Sequence, residues 1–494
     1  MLRKIRISIA AIFFICITLL FLDFTGTIHA WLGWMAKVQF LPAVLALNVG
    51  VIVLLVVLTL LFGRVYCSVI CPLGVMQDII SWFGGKRKRN RFSYSAEKRW
   101  LRYGVLIVFV VLFVVGLNSI ALLIAPYSAY GRIAQNLLAP IWGFGNNILA
   151  FIAERIDSYA FYSTEVWIRS WVTFAVAVAT LGIVGYLAWR NGRTYCNTIC
   201  PVGTVLGFLS RFSLLKPVID TSKCIDCGLC AKKCKASCID TKNHKIDYSR
   251  CVVCMDCLES CNKGAISYTM RRATNTTRQD NSTEKIDNSR KNFLIGAGLL
   301  AASAAKAQEM KLDGGYATIV KKEPRAKFRT LTPAGSLSAS NMASHCTGCQ
   351  LCVSVCPNNV LHPSPYLENF MQPAMSYEKG YCRPECTKCG EVCPTGAIKP
   401  ISVIEKSSIQ IGHAVWVKRN CIVISDDVDC GNCAEHCPTG AINMVLSDYR
   451  NKKSRKIPVI NKERCIGCGA CEHLCPSRPF SAIYVKSYKE HRTI

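Results

Sequence analysis

The sequence predicts an α-helical membrane domain of four transmembrane helices, followed by small cysteine-rich domains of mixed α and β structure. Two observations lead to this fold class. Four apolar stretches of membrane-spanning length lie before residue 190. In addition, 24 of the 30 cysteines form six closely spaced quartets after residue 223. The chain of 494 residues is long enough for three or four domains.

The four apolar stretches are expected to be helices that cross a membrane. The first lacks a small-residue cleavage site, so we expect it to be retained and not removed as a signal peptide. Cys16, alone within it, is expected to be a small apolar core residue. The four stretches are Ile5 to Phe24, Ala43 to Phe62, Val105 to Ile124 and Trp171 to Trp189.

Basic residues predict the orientation of these helices. The loop 63–101 carries Arg64, a basic run from Lys86 to Arg91 and two further basic residues, whereas the loop 23–42 has only Lys37. Lys and Arg accumulate in cytoplasmic loops. Residues 190–292 are therefore expected in the cytoplasm, and the segment 125–170 is expected to be a loop on the other side.

An internal repeat closes each predicted pair of helices. Residues 63–74 read G-R-V-Y-C-S-V-I-C-P-L-G, and residues 192–203 read G-R-T-Y-C-N-T-I-C-P-V-G. We therefore expect a duplicated hairpin with a pseudo-twofold axis. The cysteines of the two C-x3-C-P loops either form one soft four-thiolate metal or redox site, or are reduced thiols of a packing motif. They are Cys67, Cys71, Cys196 and Cys200.

The loop after the first helix contains a candidate pocket for a quinol. It carries His29, Trp31, Trp34 and Lys37, with His29 as the proton acceptor. The alternative is a belt of aromatic residues at the membrane interface.

The first two quartets have the spacing C-x2-C-x2-C-x3-C of a two-cluster ferredoxin, in residues 216–270. In that pattern the fourth cysteine of each quartet ligates the other [4Fe–4S] cluster. Cys238 is an additional cysteine, so Cys234 and Cys238 both remain candidates for the ligand lent to the second cluster, and the spacing favours Cys234. The expected ligands are Cys224, Cys227, Cys230, Cys234, Cys251, Cys254, Cys257 and Cys261.

Residues 271–307 are expected to be a polar linker followed by a signal-like segment. Ser289-Arg290-Lys291 resembles a twin-arginine motif with lysine in place of the second arginine, and Phe293 to Ala305 is an apolar run too short for a typical span. A cleavage-like site follows near Ala307. We therefore expect residues 308–494 to be exported to the periplasm.

Residues 308–494 contain four further quartets, each with a proline after its last cysteine. We interpret them as repeats of one ferredoxin unit, so that the fold after the membrane domain is α+β and ferredoxin-like. The first gap is widened at Cys382 and at Cys421, which indicates loop insertions. The expected ligands are Cys346, Cys349, Cys352, Cys356, Cys382, Cys386, Cys389, Cys393, Cys421, Cys430, Cys433, Cys437, Cys465, Cys468, Cys471 and Cys475.

Composition favours iron–sulfur clusters and argues against nucleic-acid binding. Zinc sites use two well-separated cysteine pairs, which differ from these quartets. The formal charge is +28. Six clusters, each with a charge of about −2, offset much of it, and other basic residues orient membrane helices. No nucleic acid is expected as a partner.

Residues 1–270 resemble the membrane ferredoxin of periplasmic nitrate reductase and methylamine utilisation systems, the NapH/MauN type. The two C-x3-C-P motifs and the Cys224–Cys261 quartets carry this resemblance. Residues 289–494 resemble the soluble four-cluster partner, the NapG/MauM type, so the chain is similar to a fusion of the two. The resemblance implies pairing of the first of the last four quartets with the fourth, and of the second with the third.

The resemblance also implies a function in the bacterial inner membrane. It implies oxidation of a quinol, most simply menaquinol, and transfer of electrons to a redox partner such as a periplasmic reductase or cytochrome, as one component of a larger quinol dehydrogenase complex. Two alternatives stay open. One is a metal-maturation or regulatory iron–sulfur protein, and the other is reverse electron flow from a cytoplasmic ferredoxin to quinone.

Overall fold

A computed structural model describes residues 2–85, 92–158, 161–164, 166, 169–270, 320, 322–323 and 330–494. The described residues do not include the basic run from Lys86 to Arg91, the polar linker, the twin-arginine-like motif, the apolar run 293–305 or the cleavage-like site, so the expectations for these segments remain predictions.

Three described helices are long and apolar enough to cross a membrane: Leu2–Leu22, Pro126–Glu154 and Trp171–Asn191. The first and third correspond to the first and last predicted spans. The second predicted span is divided into helices Phe40–Leu45 and Val49–Phe62, because the Asn48 side chain caps the latter by accepting from the Val51 N–H at 3.3 Å. The latter has 14 residues, so a count of four full spans stays a prediction.

The third predicted span, Val105 to Ile124, is wrong in its extent. A helix runs from Arg99 to Val115 and ends at Gly116, whose φ of +85° is the left-handed conformation that terminates helices. Short helices Asn118–Ala121 and Leu122–Ile124 follow it.

The expectation that residues 125–170 form a loop is also wrong. Helix Pro126–Ile133, a π-helical turn Ala134–Leu138 and helix Ala139–Glu154 follow one another without interruption. Every residue of Pro126–Ile133, which we call the inserted helix, is buried. Its Arg132 guanidinium donates to the carbonyls of Leu122 at 3.2 Å and Leu123 at 2.8 Å, which satisfies a cation in the protein interior.

Each C-x3-C-P motif joins two helical elements. The first connects the π-helical turn Tyr66–Ile70 to helix Pro72–Gly85, and the second connects helix Thr194–Thr198 to helix Pro201–Ser210. Proline is the first residue of each following helix, where its missing N–H has no cost. Two short helices, Thr27–Leu32 and Trp34–Lys37, lie in the loop after the first long helix.

The first cysteine unit (residues 216–270) has two antiparallel strand pairs and two helices. Strand Leu215–Ile219 pairs with Ile266–Met270, and Ile239–Asp240 pairs with Lys245–Ile246. The helices are Leu229–Lys233 and Asp256–Ser260.

The second cysteine unit (residues 330–494) has three antiparallel strand pairs. Leu361–Pro363 pairs with Pro373–Met375, Ile409–Trp416 with Ile483–Thr493, and Ile442–Leu446 with Lys456–Ile460. Its helices are Ala339–His345, Leu351–Ser354, Leu367–Asn369, Lys388–Glu391, Val403–Ser408, Lys418–Asn420, Ile422–Ser425, Asn432–Glu435 and Ala470–Leu474.

The two cysteine units contact opposite ends of the helix Leu2–Leu22. At its beginning, Arg3 forms an ion pair with Asp256 of the first unit at 2.7 Å. Beyond its end, the Thr25 carbonyl accepts a hydrogen bond from Lys388 of the second unit at 2.9 Å. At 1.5 Å per residue, this helix separates the units by about 30 Å.

Asp78 holds the membrane domain and the first cysteine unit together at one point. Its buried carboxylate forms ion pairs with Arg6, with Arg193 at 2.8 Å and with Lys235 of the first unit at 3.8 Å. Removing one partner of a buried ion pair leaves uncompensated charge in a low dielectric.

We therefore expect the substitution Asp78→Asn to lower the free energy of unfolding by about 3–5 kcal/mol. Denaturant unfolding of the purified protein in detergent measures this change. The matched control is Asp429→Asn, which removes an exposed ion pair with Arg455 and should cost at most about 1 kcal/mol. Equal losses in the two variants would contradict the role of Asp78.

Candidate metal centres

The four cysteines of the two C-x3-C-P loops lie together in the protein interior. Each is at most 5% exposed, and all belong to one hydrophobic core. The thiol of Cys200 interacts electrostatically with the other three. We call Cys67, Cys71, Cys196 and Cys200 the central thiol cluster.

The two loops are joined by arginines that reach across from one repeat to the other. Arg64 of the first loop donates to the Cys196 carbonyl at 3.2 Å and to the Asn197 side chain at 2.8 Å. Arg193 of the second loop donates to the Cys67 carbonyl at 2.8 Å. Both arginines are at most 1% exposed. The exchange is reciprocal, as expected for two repeats that face each other.

Glycines make this close approach possible. A Cβ atom on Gly74 would overlap the Cys67 carbonyl and lie 2.7 Å from Arg193, and a Cβ on Gly203 would overlap the Cys196 carbonyl and lie 2.8 Å from Arg64. Any larger residue at these two positions would push an arginine out of its place.

The charges around the central thiol cluster fit a metal held by thiolates. Arg193 is neutralised by Asp78, but Arg64 forms no ion pair with a carboxylate among the described residues. Its guanidinium lies 3.8 Å from the Cys67 sulfur, and Gln77 donates to the Cys196 sulfur at 3.3 Å. An unpaired buried cation is costly. Thiolates bound to a soft metal supply the missing negative charge.

In the first cysteine unit, five thiols line one small cavity: Cys234, Cys238, Cys251, Cys254 and Cys257. The sulfurs of Cys234 and Cys238 are 3.5 Å apart. The thiol of Cys238 hydrogen-bonds to Cys234 and lowers the pKa of Cys234 to about 7. Cys234 also interacts electrostatically with Cys254 and Cys257. Cys238 hydrogen-bonds to Cys251 as well, so both candidates lie in the cavity of the second quartet, and Cys234 stays the ligand that the spacing favours.

In the second cysteine unit, the quartet pairing implied by the resemblance is wrong. The first quartet pairs with the second and the third with the fourth, because each fourth cysteine enters the cavity of its neighbour in sequence. The four sets are Cys346, Cys349, Cys352 and Cys393; Cys356, Cys382, Cys386 and Cys389; Cys421, Cys430, Cys433 and Cys475; and Cys437, Cys465, Cys468 and Cys471. Each consecutive pair thus repeats the plan expected for the first unit.

Backbone N–H groups and a lysine surround these sulfurs. Ala441 donates to Cys437 at 3.3 Å, and Ala482 donates to Cys475 at 3.3 Å. Lys322 donates to the Cys475 carbonyl at 3.2 Å, and burial lowers the pKa of Lys322 to about 8. Hydrogen bonds to ligand sulfurs and nearby charge tune the reduction potential of iron–sulfur centres.

A cavity of about 600 Å³ lies between the membrane domain and the second cysteine unit. It has the size of a small-molecule site. The membrane domain contributes apolar residues together with polar ones such as Gln135 and Arg169, and the second unit contributes Cys356 and further polar groups. Lining residues include Phe21, Leu22, Ala139, Trp142, Cys356 and Tyr381.

The predicted quinol residues do not line this cavity. His29 is buried and interacts with the backbone of Val392 in the second unit, whereas Trp31 is 83% exposed and Trp34 is 53% exposed. Sequence reasoning missed the cavity because its two walls come from segments more than 180 residues apart. It also counted Arg64 only among the charges that set the orientation of the membrane helices, although Arg193 stands at the same position of the second repeat.

Two protein-family models match the chain. One, described as a 4Fe-4S binding domain, matches residues 44–90 and 171–219, which contain the central thiol cluster. The other, described as a 4Fe-4S dicluster domain, matches residues 345–397 and 428–478. Each segment of the second match contains cysteines of two consecutive quartets. No solved structure matches the chain.

Curated relatives are ferredoxin-type proteins. The "methylamine utilization ferredoxin-type protein MauM" of Methylophilus methylotrophus is 29% identical over 32% of this chain and 71% of its own length. The "putative electron transport protein YccM" of Escherichia coli K12 is 28% identical over 39% and 47%. The "ferredoxin-type protein NapH" of Haemophilus influenzae is 27% identical over 39% and 55%.

The chain is related to ferredoxin-type electron-transport proteins. Further relatives are named NapG and MauN, so both types of the expected fusion are represented. The matches span about half the length of YccM and NapH, and about two thirds to 71% of MauM and NapG.

The pairing in the second unit predicts which double substitutions remove one cluster and which remove two. With Cys346 and Cys393 on the same cluster, the variant C346A/C393A should lose about four iron atoms. The variant C393A/C430A should lose about eight, because these residues belong to different clusters. Iron analysis after anaerobic reconstitution measures both. A loss of about eight iron atoms in C346A/C393A and about four in C393A/C430A would instead support pairing of the first quartet with the fourth and of the second with the third.

Proposed function

We propose that this chain is a membrane-bound polyferredoxin that transfers electrons between the quinone pool and a redox partner, such as a periplasmic reductase or cytochrome. The observation that carries the proposal is the convergence of cysteine sets in two units, each packed on one end of a helical membrane domain. Such quartets hold [4Fe–4S] clusters, which accept and release single electrons.

The protein supplies ligands, burial and hydrogen bonds to six clusters. In the first unit, Cys224, Cys227 and Cys230 would share one cluster with Cys261, and Cys251, Cys254 and Cys257 would share the other with Cys234. The four sets of the second unit hold the remaining four. The central thiol cluster would hold one further metal, and the negative charge of its thiolate ligands would neutralise Arg64.

The proposed topology places the chain in a bacterial inner membrane with four spans and a duplicated hairpin. The first cysteine unit lies in the cytoplasm and the second in the periplasm. The contacts at opposite ends of helix Leu2–Leu22 support this arrangement. The basic residues of the 63–101 loop support the side assigned to each unit.

Quinol is proposed to bind in the 600 Å³ cavity rather than beside His29. The cavity opens between apolar membrane residues such as Phe21 and Trp142, and its opposite wall includes the cluster ligand Cys356. A quinol bound there would release two protons and two electrons to become a quinone, with the electrons passing singly to the cluster that Cys356 ligates. Polar groups such as Gln135 and Tyr381 are placed to hydrogen-bond its hydroxyls.

A metal-maturation or regulatory role is the second candidate, and the central thiol cluster is the observation that favours it. Thiols that hand over a metal would be dispensable for electron flow. Reverse flow from a cytoplasmic ferredoxin to quinone uses the same sites in the opposite direction. Replacing all four thiols by serine distinguishes maturation from electron transfer. If quinol still reduces the clusters at the same rate while a partner protein stays immature, the maturation role is supported.

Filling the cavity should block the reaction with quinol. We expect the variant A139W to bleach the visible iron–sulfur absorbance at least about tenfold more slowly with a menaquinol analogue, because its indole occupies the cavity. Bleaching by dithionite should stay complete in the same variant. His29→Gln is the matched comparison and should leave the rate unchanged.

The opposite pattern, with a slow H29Q variant and a normal A139W variant, would place quinol at the loop after the first helix. If dithionite bleaches the wild-type protein and quinol does not, the proposed exchange with the quinone pool is contradicted.

A further inference from the structure

We propose that electrons cross the membrane through this chain, between the first and the second cysteine unit, by way of the central thiol cluster. The inference rests on the proposed function, to which it adds a route. In the alternative arrangement, each cysteine unit exchanges electrons only with partners on its own side. The contacts on both sides of the central thiol cluster favour the crossing route.

Arg64 is the first link between the central thiol cluster and the first cysteine unit. One of its terminal nitrogens lies 3.8 Å from the Cys67 sulfur, and the other donates to the Ser249 carbonyl at 3.1 Å. Ser249 precedes the ligand Cys251 by two residues, and Arg64 interacts electrostatically with the Cys251 thiol. One buried side chain therefore links the central thiol cluster to the backbone beside Cys251.

The second C-x3-C-P loop makes an independent link to the same unit. The Arg193 N–H donates to the Lys235 carbonyl at 2.8 Å, and the Asn197 side chain donates to the Ala236 carbonyl at 3.3 Å. Lys235 follows the ligand Cys234 directly. Gly192 packs so closely that a Cβ on it would overlap the Lys235 carbonyl.

On the other side, Tyr195 connects the central thiol cluster to the inserted helix. Tyr195 precedes Cys196 in the chain, is buried, and donates its hydroxyl proton to the Ile124 carbonyl at 2.6 Å. Ala125, the next residue, is the N-cap of the inserted helix Pro126–Ile133.

The inserted helix then reaches the second cysteine unit at its first quartet. A Cβ on Gly131 would overlap the Cys349 carbonyl, so the two backbones touch. Tyr127 is 1% exposed and interacts electrostatically with Cys349 and Cys393, which belong to one set. Immediately after Cys349, Gln350 accepts a hydrogen bond from Asn136 at 3.1 Å.

These links follow one another from the first cysteine unit to the second. The inserted helix between the central thiol cluster and Cys349 is buried along its whole length. Within the second unit the contacts continue, since the Cys382 N–H donates to the Cys468 carbonyl at 3.0 Å and so joins two neighbouring sets. These contacts provide a continuous packed route from the first cysteine unit to the second.

The test uses the full chain, reconstituted with its clusters in sealed lipid vesicles that contain ferric cytochrome c. Dithionite is added outside, where it is oxidised to sulfite, and each electron that crosses reduces one ferric haem inside. Potassium with valinomycin carries the compensating charge inward. We expect haem reduction at least about tenfold faster than in protein-free vesicles, whichever way the chain is inserted.

The variant C67A/C196A should lose this reduction while it keeps the iron of the six clusters. The milder variant Y195F removes only the hydroxyl bonded to Ile124 and should slow the crossing, whereas the exposed control Y449F should not. Bleaching of the clusters in detergent by dithionite is measured on the same preparations.

Haem reduction at the wild-type rate in C67A/C196A would overturn the route. Absence of crossing in the wild type, with all clusters present and bleached in detergent, would overturn it as well and leave the proposed function intact. Absence of bleachable clusters would instead contradict the proposed function itself.

Discussion

The reciprocal contacts of Arg64 and Arg193 are the interaction on which the rest of this structure depends. Each guanidinium binds backbone of the opposite repeat, and this brings four thiols from residues 67–200 into one buried site. Two buried cations would be costly in an apolar domain. Asp78 compensates one of them, and the sulfurs are the remaining negative groups beside the other. The same charges thus join the two repeats and fit the thiolate-bound metal that we propose for the site.

The same two loops also determine where the cysteine units sit. The first unit packs on them directly, through Ser249 and Lys235, so its second quartet lies against the central thiol cluster. The second unit packs at the far end, where the inserted helix meets Cys349. A separate cavity with membrane-domain residues on one side and Cys356 on the other lies at this end, where we propose that quinol binds. One chain therefore combines contacts to both cysteine units with a candidate site for a lipid-soluble reductant.

The cysteine quartets, the C-x3-C-P loops and the first and last long helices could be predicted from the sequence, because the spacing of ligands and long apolar runs are local features of a chain. The inserted helix was missed because Arg132 and its neighbouring polar residues lower its hydropathy; even the apolar window found within Pro126–Glu154 averages only 1.2, against 2.6 for the first helix. Quartet pairing was wrong because the lent cysteine depends on which units pack together, and a resemblance to other chains does not determine that. The reciprocal hydrogen bonds of Arg64 and Arg193 left no sign in the sequence except a Gly-Arg pair that occurs in both repeats.

We propose above all that the central thiol cluster binds a metal through thiolates whose negative charge compensates Arg64. Metal analysis of the anaerobically purified chain tests this most directly, with C67A/C196A compared against Cys16→Ala, a substitution in the first helix outside the C-x3-C-P loops. The account predicts that C67A/C196A loses the metal of one centre and keeps the iron of the six clusters, while C16A loses nothing. An unchanged metal content in C67A/C196A would contradict it, and would leave the four cysteines as thiols of a packing motif.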